Sequence, residues 1–319
     1  MNHNFVPSAQ SNFTVLVSVT DATLRTISNG GHVANFNGYD IGFYTDSSGS
    51  TKLKWEIESY NPVTGQLIAW VQIPTLSSTS DTSFYLFYGD PSITSDQSDR
   101  VNTWDSNFKA VYHLGNGTTL TASDSTGGNN GTGSHSPTAV AGEIDGAAHF
   151  VSASTQTINL GTPSDFPITT AWTAEAWVNP VAFGGMTVVG WGQTSNNGVR
   201  IGANGAGGTW RVSFFGGANS DGGSVSTGSW QHVVGTFDGS SLRLYKNGSL
   251  VGGPTSASPT ISGNPGGWIG SFSGTQFFNG DIDEVRISNT NRGADWIRTE
   301  YNNQNSPGTF ITLGSESCP

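Results

Sequence analysis

Three carboxylates fall within four positions of the segment NGDIDEVRIS, Asn279 to Ser288, in a chain with 11% charged residues. Carboxylates at this density can bind a cation, form ion pairs or act as general acid and base. If the segment is a β-strand, alternate side chains share a face, so Asp283 lies on the same side as Val285 and Ile287. A carboxylate on that apolar face must be hydrogen-bonded, paired or bound to a metal, because a bare buried charge is strongly unfavourable.

Hydrolytic chemistry has weaker support. Retaining glycosidases need two carboxyl groups roughly 5 Å apart, and in the later part of the chain Asp281 and Asp283 are the candidates at alternating positions. Glu56 and Glu58 form an earlier pair, which we interpret as a solvated strand edge. The sequence has no Gly-x-Ser-x-Gly or His-Glu-x-x-His motif, and its lone cysteine, Cys318, is next to last. These observations favour a protein without catalytic activity.

Composition indicates an all-β fold with many turns. Charged residues make up 11% of the chain, compared with roughly 25% in an average globular protein. The 23 acidic residues outnumber the 12 basic ones and no basic run occurs, so we expect no nucleic-acid partner. No apolar run reaches the length of about 18 residues that a membrane span needs, so we expect no membrane insertion. A single cysteine excludes an internal disulfide.

The elements that must position the carboxylates fall into two β-sandwich domains. The segment NFTVLVSVT starts a series of short strands, with Phe13, Val15 and Val17 on one face, that ends near Asp90. We predict a small sandwich over residues 1–100.

The polar stretch that follows contains the predicted domain boundary, with a linker over 101–107. A second sandwich is predicted over 108–290, where Asn247-Gly248 supplies the type I′ turn of a hairpin. Residues 291–319 are predicted to form a short helix and a return strand that pairs with the edge of the first domain.

Several separated motifs in the second domain resemble one known fold. VYHLGNG, DSTGGNNGT, AEAWVNP, WQHVVGTFDGSSLRLYKNGSLVGG and FFNGDIDEVRIS occur in the order found in the concanavalin A-like, laminin-G-type jelly roll. That domain is common in bacterial and phage surface proteins. The first domain, with NGYDIGFYTD and FYLFYGD, resembles a β-sandwich of unassigned function that often precedes such a jelly roll.

The resemblance implies a calcium site. In many jelly rolls of this superfamily an Asp near the start of the last strand helps to hold a calcium ion, and Asp283 is the matching residue. The segment DSTGGNNGT would supply its partners, with Asp124 the first candidate and Asn130 next. Oxygen ligands of this kind suit calcium. The alternative is that Asp283 accepts hydrogen bonds from backbone amides and that no metal binds.

Aromatic and planar polar residues in the middle strands indicate where a sugar would bind. Sugar sites combine flat aromatic rings with a few planar hydrogen-bonding groups. The candidates are Trp191, Asn196, Arg200, Trp210 and Arg211, which lie in or beside loops between the middle strands. The competing interpretation is that these tryptophans belong to the core.

The sequence and the resemblance together predict an extracellular, cell-surface or virion module that binds polysaccharide or another glycan and carries structural calcium. One alternative is a structural protein, such as a phage fibre, decoration or cell-surface appendage component, whose sandwiches contact other surface or virion proteins. A second alternative is a glycan-cleaving enzyme whose active site has no recognisable motif.

Overall fold

A computed structural model describes residues 1–192, 198–205, 207–260 and 266–317. The chain divides into two compact units, the first made of Met1–Asp105 and Arg298–Pro319 and the second of Ser106–Ile297. Within the described ranges, no helix is both long and apolar enough to cross a membrane. The first unit is discontinuous in sequence, because the residues of the second unit come between its two segments.

The first unit contains two antiparallel sheets. One has the strand order β1-β4-β3 and the other pairs β2 with β5. The strands are β1 (Gln10–Thr20), β2 (Gly42–Tyr44), β3 (Lys54–Asn61), β4 (Gln66–Leu76) and β5 (Tyr85–Phe87). Short 3₁₀ turns cover His3–Phe5, Ala22–Leu24 and Ile27–Asn29. Asp21 caps the second of these turns by accepting a hydrogen bond from the amide of Thr23 at 2.8 Å.

The predicted return strand does not form. Helix α2 (Ala294–Asn305) is followed by the short helix α3 (Pro307–Phe310) and an extended tail, so 309–314 is not a strand. The edge of β1 is instead bridged by one carboxamide: Asn303 accepts from the amide of Leu16 at 2.7 Å and donates to its carbonyl at 3.0 Å. A side chain thus makes the pair of bonds that a neighbouring strand would otherwise supply.

The first unit extends to Asp105, beyond the predicted boundary at residue 100. Helix α1 (Arg100–Thr103) includes residues 101–103 of the segment predicted as a linker. The next residue, Trp104, is 4% exposed, and its indole nitrogen donates to Glu56 at 2.9 Å. Glu56 is itself buried, so its interpretation as part of a solvated edge is wrong: this carboxylate is needed inside the unit as an indole acceptor.

The second unit consists of two larger sheets. The seven-stranded sheet has the order β15-β14-β13-β12-β19-β10-β7, and the eight-stranded sheet has the order β18-β17-β16-β11-β20-β9-β8 with β6 also paired to β20. Its strands are β6 (Phe108–Tyr112), β7 (Thr132–Ser134), β8 (Thr138–Ala141), β9 (Gly146–Phe150), β10 (Thr157–Asn159), β11 (Trp172–Pro180), β12 (Thr187–Trp191), β13 (Val199–Asn204), β14 (Thr209–Phe214), β15 (Asn219–Ser224), β16 (Gln231–Phe237), β17 (Ser241–Lys246), β18 (Ser249–Ser256), β19 (Gly267–Ile269) and β20 (Gly280–Ser288). A 3₁₀ turn covers Ser152–Ser154.

One apolar core holds the second unit together. It draws on alternate residues of both large sheets, including Trp172, Trp191, Trp210 and Val285. The hairpin between β17 and β18 turns at Asn247 and Gly248, both with positive φ, as the type I′ prediction requires. The all-β fold class is confirmed, with helix confined to short segments.

The last strand, β20, contains a bulge that changes its alternation. The register of β20 against β11 pairs Asp283 with Trp177 and Arg286 with Glu175, so β20 carries one extra residue. Glu284 has φ of +49°, in the left-handed region. The core residues of β20 are Ile282, Val285 and Ile287. The prediction that Asp283 shares a face with Val285 and Ile287 is therefore wrong, because the bulge reverses the alternation between them.

Candidate functional site

A continuous row of residues crosses the outer face of the seven-stranded sheet, the face turned away from the core. Trp268 of β19 lies opposite Asn159 of β10 on one side and opposite Gly190 of β12 on the other. Gly190 lies opposite Arg200 of β13, which lies opposite Ser213 of β14. The neighbours of these residues along each strand belong to the core. The row spans five strands, or roughly 19 Å. Gly190, Arg200 and Ser213 are buried, so its accessible surface is confined to Asn159 and Trp268.

Three aromatic rings gather near the Trp268 end of this row. The Trp268 and Phe272 ring centroids are 5.9 Å apart, and those of Phe272 and Phe215 are 5.0 Å apart. Phe272 fills the space over Gly190, where a Cβ would lie 2.7 Å from its Cδ2 atom. Phe272 is fully buried, whereas Trp268 and Phe215 are half-buried. These two residues keep accessible apolar surface, which the apolar face of a sugar ring can cover.

A bidentate ion pair lies farther along the same face. Arg211 of β14 is opposite Asp221 of β15 and donates to both of its carboxylate oxygens, at 2.6 and 2.7 Å. This hydrogen bonding raises the pKa of Arg211. The two side chains are 24% and 36% exposed. They therefore offer planar, fixed hydrogen-bonding groups to a ligand in solution.

Arg200 belongs to this outer row but is not accessible to a ligand. It is 4% exposed and donates to Oγ1 of Thr187 and to the carbonyls of Met186 and Ala203, at 2.8 to 2.9 Å. Burial lowers the pKa of Arg200 to about 10, and the nearby charge of Arg211 adds to the effect. With its donors committed to the protein, Arg200 positions strands rather than ligand.

The structure separates the sequence-predicted ligand residues. Trp191 and Trp210 are wholly buried, and their indole nitrogens donate to the carbonyl of Pro167 and to Gln231. The prediction that these residues bind a ligand is therefore wrong. Trp191 and Trp210 are core residues, because the strand alternation turns both rings inward, and the buried Arg200 has a supporting role. Arg211 is accessible on the outer face. Asn196 lies outside the described residues.

Sequence reasoning missed Trp268. The signal for it is the run GGWIG, in which Trp268 follows two glycines and precedes the apolar Ile269. Gly266 has no room for a side chain, since a Cβ there would lie 2.4 Å from the Trp268 ring. An isolated aromatic between glycines at an outward strand position is a better surface candidate than a tryptophan within an apolar run.

The closely spaced carboxylates of β20 have separate partners. Oδ1 of Asp281 lies 2.6 Å from Nδ1 of His149. Oε1 of Glu284 lies 2.6 Å from Nδ1 of His113, and its Oε2 accepts from Arg286 at 2.7 Å. Asp281 and Glu284 thus each have a histidine partner of their own.

Glu284 is the centre of a buried ionic network. The side chain is 1% exposed, and burial alone would raise its pKa. The positive charges of His113 and Arg286 outweigh that effect and lower the pKa of Glu284 below its ordinary value. Glu175 extends the network, with its carboxylate 3.8 Å from Arg286 and 3.9 Å from His232.

Asp124 does not fit the role of calcium ligand. Its buried carboxylate accepts hydrogen bonds at 2.7 to 3.1 Å from the amides of Val111, Thr126, Gly128 and Asn129 and from the Thr126 hydroxyl. A carboxylate has about four lone-pair sites, so these five donors already use them. The other predicted partner, Asn130, accepts from the amide of Asp124 at 2.8 Å. These hydrogen bonds fix the 124–130 loop.

Calcium binding at Asp283 stays a prediction. Asp283 is fully buried and accepts from the amide of Ile144 at 2.9 Å. If calcium binds there, calcium at 100 times its Kd stabilises the fold by about 2.7 kcal/mol, a chelator reverses this, and Asp283→Asn abolishes it. Thermal unfolding measures all three effects. A melting temperature that ignores both calcium and chelator would contradict the prediction.

Comparison with protein families gives two matches along the chain. Residues 152–298 match the family model of the concanavalin A-like lectin/glucanases superfamily, of the laminin G type. The second unit is a concanavalin A-like domain. Residues 37–124 match the family model described as a domain of unknown function, DUF2341. Both matches confirm the resemblance seen in the sequence. No curated protein matches the chain closely enough to count as a relative.

Several solved structures are similar to part of this chain. Domain 4 of AbnA, a GH43 extracellular arabinanase from Geobacillus stearothermophilus solved with arabinotriose, is 21% identical with a TM-score of 0.50, over 60% of this chain and 97% of that one. A Trypanosoma rangeli sialidase gives 16% identity and a TM-score of 0.46, over 64% of this chain and 33% of its own. The binding domain of botulinum neurotoxin DC, solved with SialylT, gives 13% identity and a TM-score of 0.46, over 64% and 52% of the two chains. The chain spans about a third of the sialidase and about half of the toxin domain.

Proposed function

We propose that the concanavalin A-like domain is a non-catalytic carbohydrate-binding module and that a polysaccharide or glycan binds on the outer face of its seven-stranded sheet. The observation that carries the proposal is that the half-buried Trp268 and the accessible Arg211–Asp221 pair lie on this same face. An aromatic surface and planar polar groups on one rigid sheet are the usual components of a sugar site.

The proposal assigns a separate role to each part of the surface. Trp268 and Phe215 pack against the apolar faces of sugar rings, while Arg211, Asp221 and the exposed Asn159 bind hydroxyl groups. The arabinanase domain that shares the fold was solved with arabinotriose, which supports this class of ligand. We infer in addition that the module acts outside the cell, on a cell surface or on a virion, as the resemblance implies.

The test combines a broad glycan array with calorimetry on the full chain. We expect glycan hits, and we expect Trp268→Ala to weaken the strongest of them by about fivefold or more, since stacking on an aromatic ring contributes roughly 1 kcal/mol or more. Trp230→Ala is the matched control, because Trp230 is also half-buried but precedes β16 of the other sheet.

The same experiment can overturn the proposal. An array without hits, or equal losses in the two tryptophan variants, would remove the outer face of the seven-stranded sheet as a sugar site. Release of shorter sugars from a bound glycan would instead support the glycan-cleaving alternative.

A further inference from the structure

We propose that the first unit binds a small organic ammonium cation in a pocket of its own. The pocket has a volume of about 260 Å³ and lies beside β2, β3 and β5. Five of its lining residues are aromatic: Tyr39, Tyr44, Trp55, Phe87 and Tyr88. This volume suits a ligand the size of one amine head group rather than a polymer chain.

The aromatic wall is held in place by the short β2–β5 sheet. Tyr44 and Phe87 pack edge to face with ring centroids 5.1 Å apart. Phe87 is backed by Gly49, where a Cβ would lie 3.5 Å from its Cζ atom. The hydroxyl oxygen of Tyr88 lies 3.0 Å from Oγ1 of Thr23 and 3.0 Å from Oε1 of Glu316, which fixes the ring. The faces of such rings carry negative potential, which attracts an ammonium group.

The charged groups of the lining are acidic. Asp40 and Asp90 line the pocket, whereas no lysine, arginine or histidine lines it among the residues that the structure describes. Asp40 is 4% exposed and is held by the amides of Ala34, Asn35 and Gly89 at 2.8 to 2.9 Å. Asp90 is exposed, and hydrogen bonds from Ser92 lower its pKa, so it is charged at neutral pH. Both carboxylates favour a positively charged ligand.

One ammonium group already lies against this wall. Nζ of Lys52 is 4.6 Å from the ring centroid of Trp55 and donates to the carbonyl of Gln97 at 2.8 Å. Trp55 and Gln97 both line the pocket, whereas Lys52 does not. The contact between Lys52 and Trp55 is therefore an example, within this protein, of the ammonium–aromatic interaction proposed for the ligand. This contact, with the two carboxylates, favours an ammonium ligand over a neutral sugar.

The first measurement compares two probes of nearly equal shape. Full-length protein is titrated by calorimetry with choline chloride and with 3,3-dimethylbutan-1-ol, in which an uncharged carbon replaces the ammonium nitrogen. We expect choline to bind and the alcohol to bind about tenfold more weakly or not at all. Choline affinity should fall when sodium chloride rises from about 20 mM to about 500 mM, because salt screens the carboxylates.

Four substitutions test whether choline binds in this pocket. Asp90→Asn should weaken choline binding by about threefold to tenfold without unfolding the protein, since Asp90 is exposed. Tyr44→Ala should weaken it further, whereas Tyr85→Ala, on the same small sheet but outside the lining, should not. Lys52→Gln should strengthen it, because a competing cation is removed.

The outcomes distinguish this proposal from the sugar site. Trp268→Ala, which tests the concanavalin A-like domain, should leave choline binding unchanged. Equal binding of choline and the alcohol, or binding of methyl glucoside without choline, would overturn the ammonium assignment. Failure of choline to bind at low salt would overturn it as well.

Discussion

Replacing Arg286 by glutamine is expected to lower the free energy of unfolding by about 3–5 kcal/mol. Arg286 is 2% exposed, donates to Glu284 at 2.7 Å and lies 3.8 Å from Glu175. Its removal leaves two buried carboxylates without their shared cation, and an uncompensated buried charge is far less stable than a pair. Chemical denaturation at pH 7 measures the difference.

Arg243→Gln is the matched control. Arg243 donates to Asp238 at 2.5 Å, but the two side chains are 29% and 25% exposed. Water and salt screen such a pair, so the same substitution should cost about 0–1 kcal/mol. Similar losses for Arg243 and Arg286 would contradict the argument from burial.

The buried network also makes the free energy of unfolding depend on pH in the acidic range. Because the folded-state pKa of Glu284 is lowered from 4.5, its stabilising contribution is fully present above pH 4.5. The contribution is lost as the pH falls through the lower folded-state value. In Glu284→Gln the free energy of unfolding should therefore depend less steeply on pH in this acidic range. Parallel curves for variant and wild type would count against the assigned pKa direction.

Asp124→Asn is expected to lower the free energy of unfolding by about 2–4 kcal/mol. The carboxylate of Asp124 accepts from four backbone amides, and an asparagine replaces one of its oxygens with a donor. The amides of Gly128 and Asn129 on the Oδ2 side, or those of Val111 and Thr126 on the Oδ1 side, would then face an NH₂ group. Buried donors that lose their acceptor are costly, so the 124–130 loop should open first.

Two comparisons make this result specific. Asp90→Asn is the surface control, since the exposed Asp90 accepts through a single oxygen from Ser92. It should leave the free energy of unfolding nearly unchanged. The loss in Asp124→Asn should also be equal with calcium and with a chelator, because hydrogen bonds need no metal. A loss seen with calcium alone would restore Asp124 as a ligand.

Local patterns in the sequence predict much of this fold. The turn at Asn247 and Gly248 and the alternating strands each depend on neighbouring residues. The two-domain resemblance is confirmed because its motifs are spread over many strands in a fixed order. Features set by local backbone chemistry were therefore accessible without a structure.

The errors share a different cause, which is tertiary context. The bulge at Glu284 adds one residue to β20 and reverses the expected side of Asp283, and nothing in the letters DIDE indicates it. The sequence pattern predicted that Trp191 and Trp210 lie in or beside loops, but their rings point into the core. The short strand around Trp268 instead places its ring outward. Which face of a strand is buried depends on the partner sheet, so single-strand patterns cannot decide it.

The discontinuity of the first unit has a consequence for synthesis on the ribosome. Asn303, which bridges the edge of β1 at Leu16, is made only after the whole of Ser106–Ile297. At typical translation rates that interval is roughly 10–40 s. During it the nascent β1 edge is open to pairing with other chains, a hazard for any strand without a neighbour. Slow translation or a shortage of chaperones should therefore lower the yield of this protein more than that of the concanavalin A-like domain expressed with its sequence intact.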